Sequence, residues 1–150
     1  VPFERAAEAM ADLFGVKCST GFLDDIYTEG AKRLDAFLNE VHRQMRASPV
    51  VHFDETPIRV GKAKHYFHVA CTEWLTLLHA DDKRGLDAVE RAGVLPAYKG
   101  IAIHDRLGMY FNYTSAKHGV CGAHLIRNLA SVAVVWNQTE WAEAIVRPTH

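Results

Sequence analysis

Apolar residues recur every three or four positions from Phe3 to Met45, then alternate or run in short blocks from Val50 onward. The first texture predicts helices and the second predicts strands. In "FERAAEAMADLFG" (residues 3–15), Phe3, Ala6, Ala7, Met10, Leu13 and Phe14 fall on one helical face, and Gly15 marks a C-terminal stop. A second helix starts at a Ser19 or Thr20 cap with Phe22, Leu23, Ile26 and Tyr27 on its apolar side. The periodicity continues through Leu34, Phe37, Leu38, Val41 and Met45, with Gly30 as the expected point of weakness. Helix, glycine turn and capped helix make a helix-turn-helix outline, which two packed helices without a DNA role produce equally well.

Pro49 ends the helical stretch. "VVHFDETPIRV", "HYFHVACT" and "EWLTLLHAD" then read as three strands joined by tight turns. A helix over about residues 85–94, closed by Pro96, leads to a fourth strand, "KGIAIHD". "RLGMYFNYTSA" reads as a short helix or loop, "KHGVC" as a fifth strand, and "GAHLIRNLASVAVV" and "TEWAEAIV" as helices. The expected fold is α/β: a mixed five-stranded sheet flanked by helices, with three antiparallel strands followed by parallel ones. The expected division is a helical segment over 1–47 and a sheet domain over 48–150.

Composition narrows the setting. A net charge of −1 over 150 residues gives no global basic field, so any nucleic-acid contact rests on a local patch. Three scattered cysteines, Cys18, Cys71 and Cys121, do not form a disulfide framework, which points to a reducing, cytoplasmic setting. No apolar run approaches the roughly 20 residues that span a bilayer. The chain opens on Val1 and stops in "EAIVRPTH", which reads as a piece of a longer protein.

The candidate chemistry lies in two acids. Asp54 sits in an otherwise apolar strand, and Asp105 ends the fourth strand. If those strands are parallel neighbours, the carboxylates approach each other, which is costly without a cation. Mg²⁺ or Mn²⁺ suits hard oxygen ligands, and two such ions roughly 3.5–4 Å apart serve phosphoryl transfer. Surface aspartates at strand ends are the plainer alternative, and for "HDRLG" a turn is natural. Glu55 points to the opposite face from Asp54 by the period-two rule.

"SPVVHFDET", "GIAIHD" and "HGVCGAHLIRNL", in this order and spacing, resemble transposases of the insertion-sequence sixty-six type. These are DDE recombinases with a ribonuclease-H-like core, and the resemblance extends over nearly the whole chain. It implies that Asp54 and Asp105 are the first two catalytic acids and metal ligands. It matches Cys121, His124 and Arg127 to the family's Cys, His and Arg at the start of the helix after the fifth strand. The implied partners are DNA, as transposon ends and target, and further copies of the protein. Two departures stand out: Arg106 where a small residue, often Gly, follows the second acid, and "PIRV" where an aromatic follows "DET". A third acid is expected beyond His150, with Glu140 and Glu143 as rivals and a solvated helix face as their plainer reading.

His118, Cys121 and His124 have the spacing of a partial zinc site, which His104 could complete, or of a packed strand-to-helix junction. His124 and Arg127 are candidates for contact with a DNA phosphate. His52, His65, His68 and His79 read as half-buried strand residues, and Tyr110, Phe111 and Tyr113 as packing aromatics. Lys62, Lys64, Lys83 and Arg84 read as turn cations that touch backbone phosphate or only solvent. The alternatives to a transposase fragment are a non-catalytic DNA-binding module and another nuclease of ribonuclease-H-like fold.

Overall fold

The computed structural model describes residues 2–135 and 139–146; within the last two helices the side chains of Ala133, Trp141, Ala142, Glu143 and Val146 lie outside the description. The chain divides into two compact units, Val1–Glu40 and Val41–His150.

The first unit holds α1 (Phe3–Phe14) and α2 (Thr20–Arg33). Gly15 caps α1 in the left-handed conformation, φ 66°, which costs a glycine nothing sterically. The Ser19 hydroxyl accepts the Phe22 backbone N–H at 3.1 Å and so starts α2. Phe3 and Tyr27 meet edge to face, ring centroids 6.3 Å apart. The helix does not break at Gly30. It runs on to Arg33, and the interruption falls at Leu34, after which α3 (Asp35–Ala47) begins.

The second unit is built on one five-stranded sheet in the order β3-β2-β1-β4-β5. Its strands are β1 (Val50–Val60), β2 (Ala63–Cys71), β3 (Thr76–Asp81), β4 (Ile101–His104) and β5 (Lys117–Val120). β1, β2 and β3 form an antiparallel meander, and β4 and β5 join it in parallel. This is the mixed sheet expected of a ribonuclease-H-like core. The crossover from β3 to β4 passes through α4 (Leu86–Ala92) and a 3-10 turn at Leu95–Ala97. Gly93, φ 75°, stops α4. A second 3-10 turn, Gly108–Asn112, links β4 to β5, and α5 (Gly122–Val135) and α6 (Thr139–Val146) follow.

Alternation along β1 sorts its residues onto two faces. Val51, Phe53 and Glu55 are buried, Val50 and His52 are exposed, and Asp54 is half-buried. The covered face packs Val51, Phe53, Ala70 and Ala102 against Val41 and Met45 of α3, Val89 of α4, and Leu95, Tyr98 and Tyr110 from the connections. Pro57 is tolerated inside a strand because the far half of β1 pairs with β2 alone.

Candidate active site

The parallel ladder between β1 and β4 pairs Val50 with Ile101, Val51 with Ala102 and His52 with Ile103. Continuing that register by two residues sets Asp54 level with Asp105, on the face that bears Val50 and His52. The Asp54 side chain is 48% exposed. Its Oδ1 accepts the Glu55 backbone N–H at 2.9 Å. Asp105 stands one residue past β4, and its Oδ1 accepts the Leu107 N–H at 2.9 Å, an Asx turn that fixes the carboxylate. Arg106 lies inside this turn with φ 70°, a conformation glycine adopts more cheaply. The turn geometry therefore favours a small residue at position 106.

α5 brings His124 to Asp54. His124 Nε2 lies 4.0 Å from Asp54 Oδ2. His124 Nδ1 is buried and meets no partner within strict hydrogen-bond geometry. Hydrogen bonding to His124 holds the Cys121 thiol's pKa below its ordinary value. Arg127 follows three residues later on α5, on the same side of the helix and exposed. Glu140 is exposed on α6, and the Glu143 side chain lies outside the described residues.

The zinc arrangement is not formed among the described residues, where no group of three or more His, Cys, Asp or Glu side chains could hold a metal ion. His104 and His118 do meet, with His104 Nε2 3.0 Å from His118 Nδ1. His104 Nδ1 accepts the Arg106 N–H at 3.2 Å, so Nε2 carries the ring's proton and donates it to His118 Nδ1. His118 Nε2–H then donates to the Tyr113 carbonyl at 3.2 Å. Both nitrogens of each ring are used in this relay, and burial together with His118 keeps the His104 pKa lowered.

On the covered side of the same strands lies a cluster that the sequence did not announce. The Glu55 side chain is 1% exposed, and Arg84 reaches it with Nη2–Oε1 2.7 Å and Nε–Oε1 2.8 Å. Tyr110 donates its hydroxyl to Glu55 Oε2 at 2.5 Å. Arg84 is thus the cation for a buried carboxylate rather than a free turn charge. Lys64 lies over the Tyr66 ring, 5.2 Å from its centroid, and Lys83 pairs with Asp87 at 3.5 Å. Tyr110 and Tyr113 are buried as packing aromatics, while Phe111 stays exposed beside His104 and His118. The histidines on the meander do not behave alike: His52 is exposed, and His68 is buried with Nε2 3.0 Å from the Lys83 carbonyl.

The family description "Transposase IS66 family" matches residues 1–149. The chain belongs to the IS66 family of transposases. Among curated protein sequences no relative matches. Among solved structures, the chain is similar to the HTLV-2 integrase catalytic core domain in complex with magnesium, in its dimeric form, at 16% identity and TM-score 0.39 over 59% of this chain and 74% of that one. The trimeric form of the same domain gives 16% identity and TM-score 0.39 over 64% and 78%. No described helix of this transposase-family chain is long and apolar enough to cross a membrane.

Proposed function

We propose that this chain carries the first two acids of a DDE transposase, cleaving DNA phosphodiesters at transposon ends and joining the freed 3′-hydroxyl to target DNA. The observation that carries the reading is the parallel β1–β4 register, which brings Asp54 opposite Asp105 when it is extended by two residues. Family membership supports it.

The donor set fits a hard divalent cation: two half-buried carboxylates, to which water and substrate oxygens would add the remaining ligands. Asp54 and Asp105 would hold Mg²⁺ or Mn²⁺, as one ion or a pair. When bound, the metal supplies the positive charge that offsets the acids and the phosphate oxygens and activates the attacking hydroxyl. The remaining work falls to the chain. β1 carries Asp54, the Asx turn after β4 keeps the Asp105 carboxylate oriented, and His124 and Arg127 grip the phosphate beside Asp54. No third carboxylate joins the two acids among the described residues, so cation binding by this set alone is weak and turnover is low.

The alternative in which residues 1–47 grip DNA and the sheet is inert finds less support. α2 exposes Asp24, Asp25 and Glu29 against Lys32 and Arg33, and Glu29 already holds Arg33 at 3.3 Å. The test is a metal-dependent nicking and joining assay on the transposase that carries this chain. Asp54→Asn and Asp105→Asn should each abolish nicking while DNA binding persists. Unchanged nicking refutes the site, and products that are hydrolysed but never joined favour a nuclease of the same fold.

A further inference from the structure

The hydrogen-bonded ladder between β1 and β4 ends at His52 and Ile103, two residues short of the acids. Backbone pairing alone therefore does not fix how far apart Asp54 and Asp105 stand. The residues beside them on the covered face are Glu55, next to Asp54, and His104, next to Asp105. One side chain touches both. The Tyr110 hydroxyl is bonded to Glu55, and the Tyr110 ring stacks on His104 with centroids 4.6 Å apart and planes 27° apart.

We infer that Tyr110 is a positioning residue, a strut beneath the sheet that sets the separation of the two acids by holding Glu55 with its hydroxyl and His104 with its ring. The inference rests on the reading of Asp54 and Asp105 as metal ligands. Tyr110 is 2% exposed and packs against Phe53 as well, with centroids 6.5 Å apart, so it has little freedom to yield. Its two anchors are themselves fixed. Arg84 holds the other oxygen of Glu55, and His104 is tied at Nε2 to His118 and at Nδ1 to the Arg106 N–H of the Asp105 turn. The strut therefore joins two rigid supports, one under each acid. Partners behind a ligand commonly change metal affinity by about 10–100-fold when removed, because they hold the ligand's orientation.

The experiment measures Mn²⁺ binding to the full chain by electron paramagnetic resonance, with folding followed by circular dichroism. Tyr110→Phe keeps the ring on His104 and removes the bond to Glu55. It should weaken Mn²⁺ binding by about 10-fold while the protein stays folded. Tyr113→Phe is the control. It removes a part-buried hydroxyl-to-carboxylate bond, Tyr113 to Glu90 at 2.9 Å, whose partner is neither Glu55 nor His104, and should leave Mn²⁺ affinity unchanged. Adding Glu55→Gln to Tyr110→Phe should weaken binding no further, because the coupling is already lost. Wild-type affinity in Tyr110→Phe overturns the inference, and so does equal weakening by Tyr113→Phe. If Asp54→Asn and Asp105→Asn leave wild-type Mn²⁺ binding intact, the metal-ligand reading fails first and the strut falls with it.

Discussion

Asp54 on β1 and Asp105, one residue past the end of β4, fall opposite each other when the parallel register is continued two residues beyond its last ladder pair, His52 with Ile103. Nothing in the backbone pairing demands acids there, and two like charges at neighbouring positions oppose folding. Neutralising either one should leave the melting temperature unchanged or higher. Added Mn²⁺ should then raise the wild-type melting temperature and not that of Asp54→Asn or Asp105→Asn, since only a ligand bound to the folded state stabilises it. Thermal unfolding with and without Mn²⁺ checks both outcomes.

Glu55 faces the core with Arg84 and Tyr110 as its partners. Arg84→Ala leaves that carboxylate with one hydrogen bond in an apolar setting. The expected loss is about 1–3 kcal/mol, at the lower end because the Arg84 side chain is 49% exposed. Urea denaturation measures it. Lys62→Ala, at an exposed turn, should change stability by less than about 0.5 kcal/mol.

The strand pattern was legible because alternation reports burial directly. β1 occupies the span read from its apolar run, and the crossover helix made β4 its parallel neighbour, as expected. Long-range partners were not legible. Alternation placed Glu55 on the face opposite Asp54 but could not say that Arg84, 29 residues on, or Tyr110, 55 residues on, would meet it there. The pairing of His104 with His118 depended in the same way on β4 and β5 lying side by side. α2 runs through Gly30 and ends at Leu34, because one glycine in a helix costs only about 1 kcal/mol and neighbouring turns absorb it.

Arg106 carries its own prediction. With φ 70°, Arg106→Gly should leave stability unchanged or raise it by up to about 1 kcal/mol. Loss of stability would mean that the exposed guanidinium contributes more than the turn costs. Chemical denaturation decides between them.

Gly100 precedes β4 where a side chain has no room. A Cβ there would meet the Tyr98 hydroxyl and come within 2.8 Å of the Pro49 carbonyl oxygen, which is backbone and cannot yield. Gly100→Ala should cost about 1–3 kcal/mol, whereas Gly119→Ala meets only the flexible tip of Ile103 at 2.5 Å and should cost less. Paired urea titrations rank the two.

The pH dependence of stability should show Asp81. Arg91 grips it with Nε–Oδ2 and Nη2–Oδ1 both at 2.7 Å, and this hydrogen bonding holds the Asp81 carboxyl far below the ordinary carboxylate range. In the unfolded chain Asp81 protonates near its usual value of about 3.9, while in the folded chain it stays ionised. The unfolded state therefore binds more protons in acid, and the stability Asp81 contributes is present above about pH 4 and lost as pH falls below it. The stability gap between wild type and Asp81→Asn should be widest at pH 7 and should shrink at pH 3.

Crystals soaked in Mn²⁺ and measured at a wavelength where manganese scatters anomalously would locate the ion directly. A peak is expected within coordination distance of both Asp54 and Asp105, absent from Asp54→Asn crystals. A manganese peak elsewhere, with none between these two carboxylates, would contradict the reading of the two acids as metal ligands.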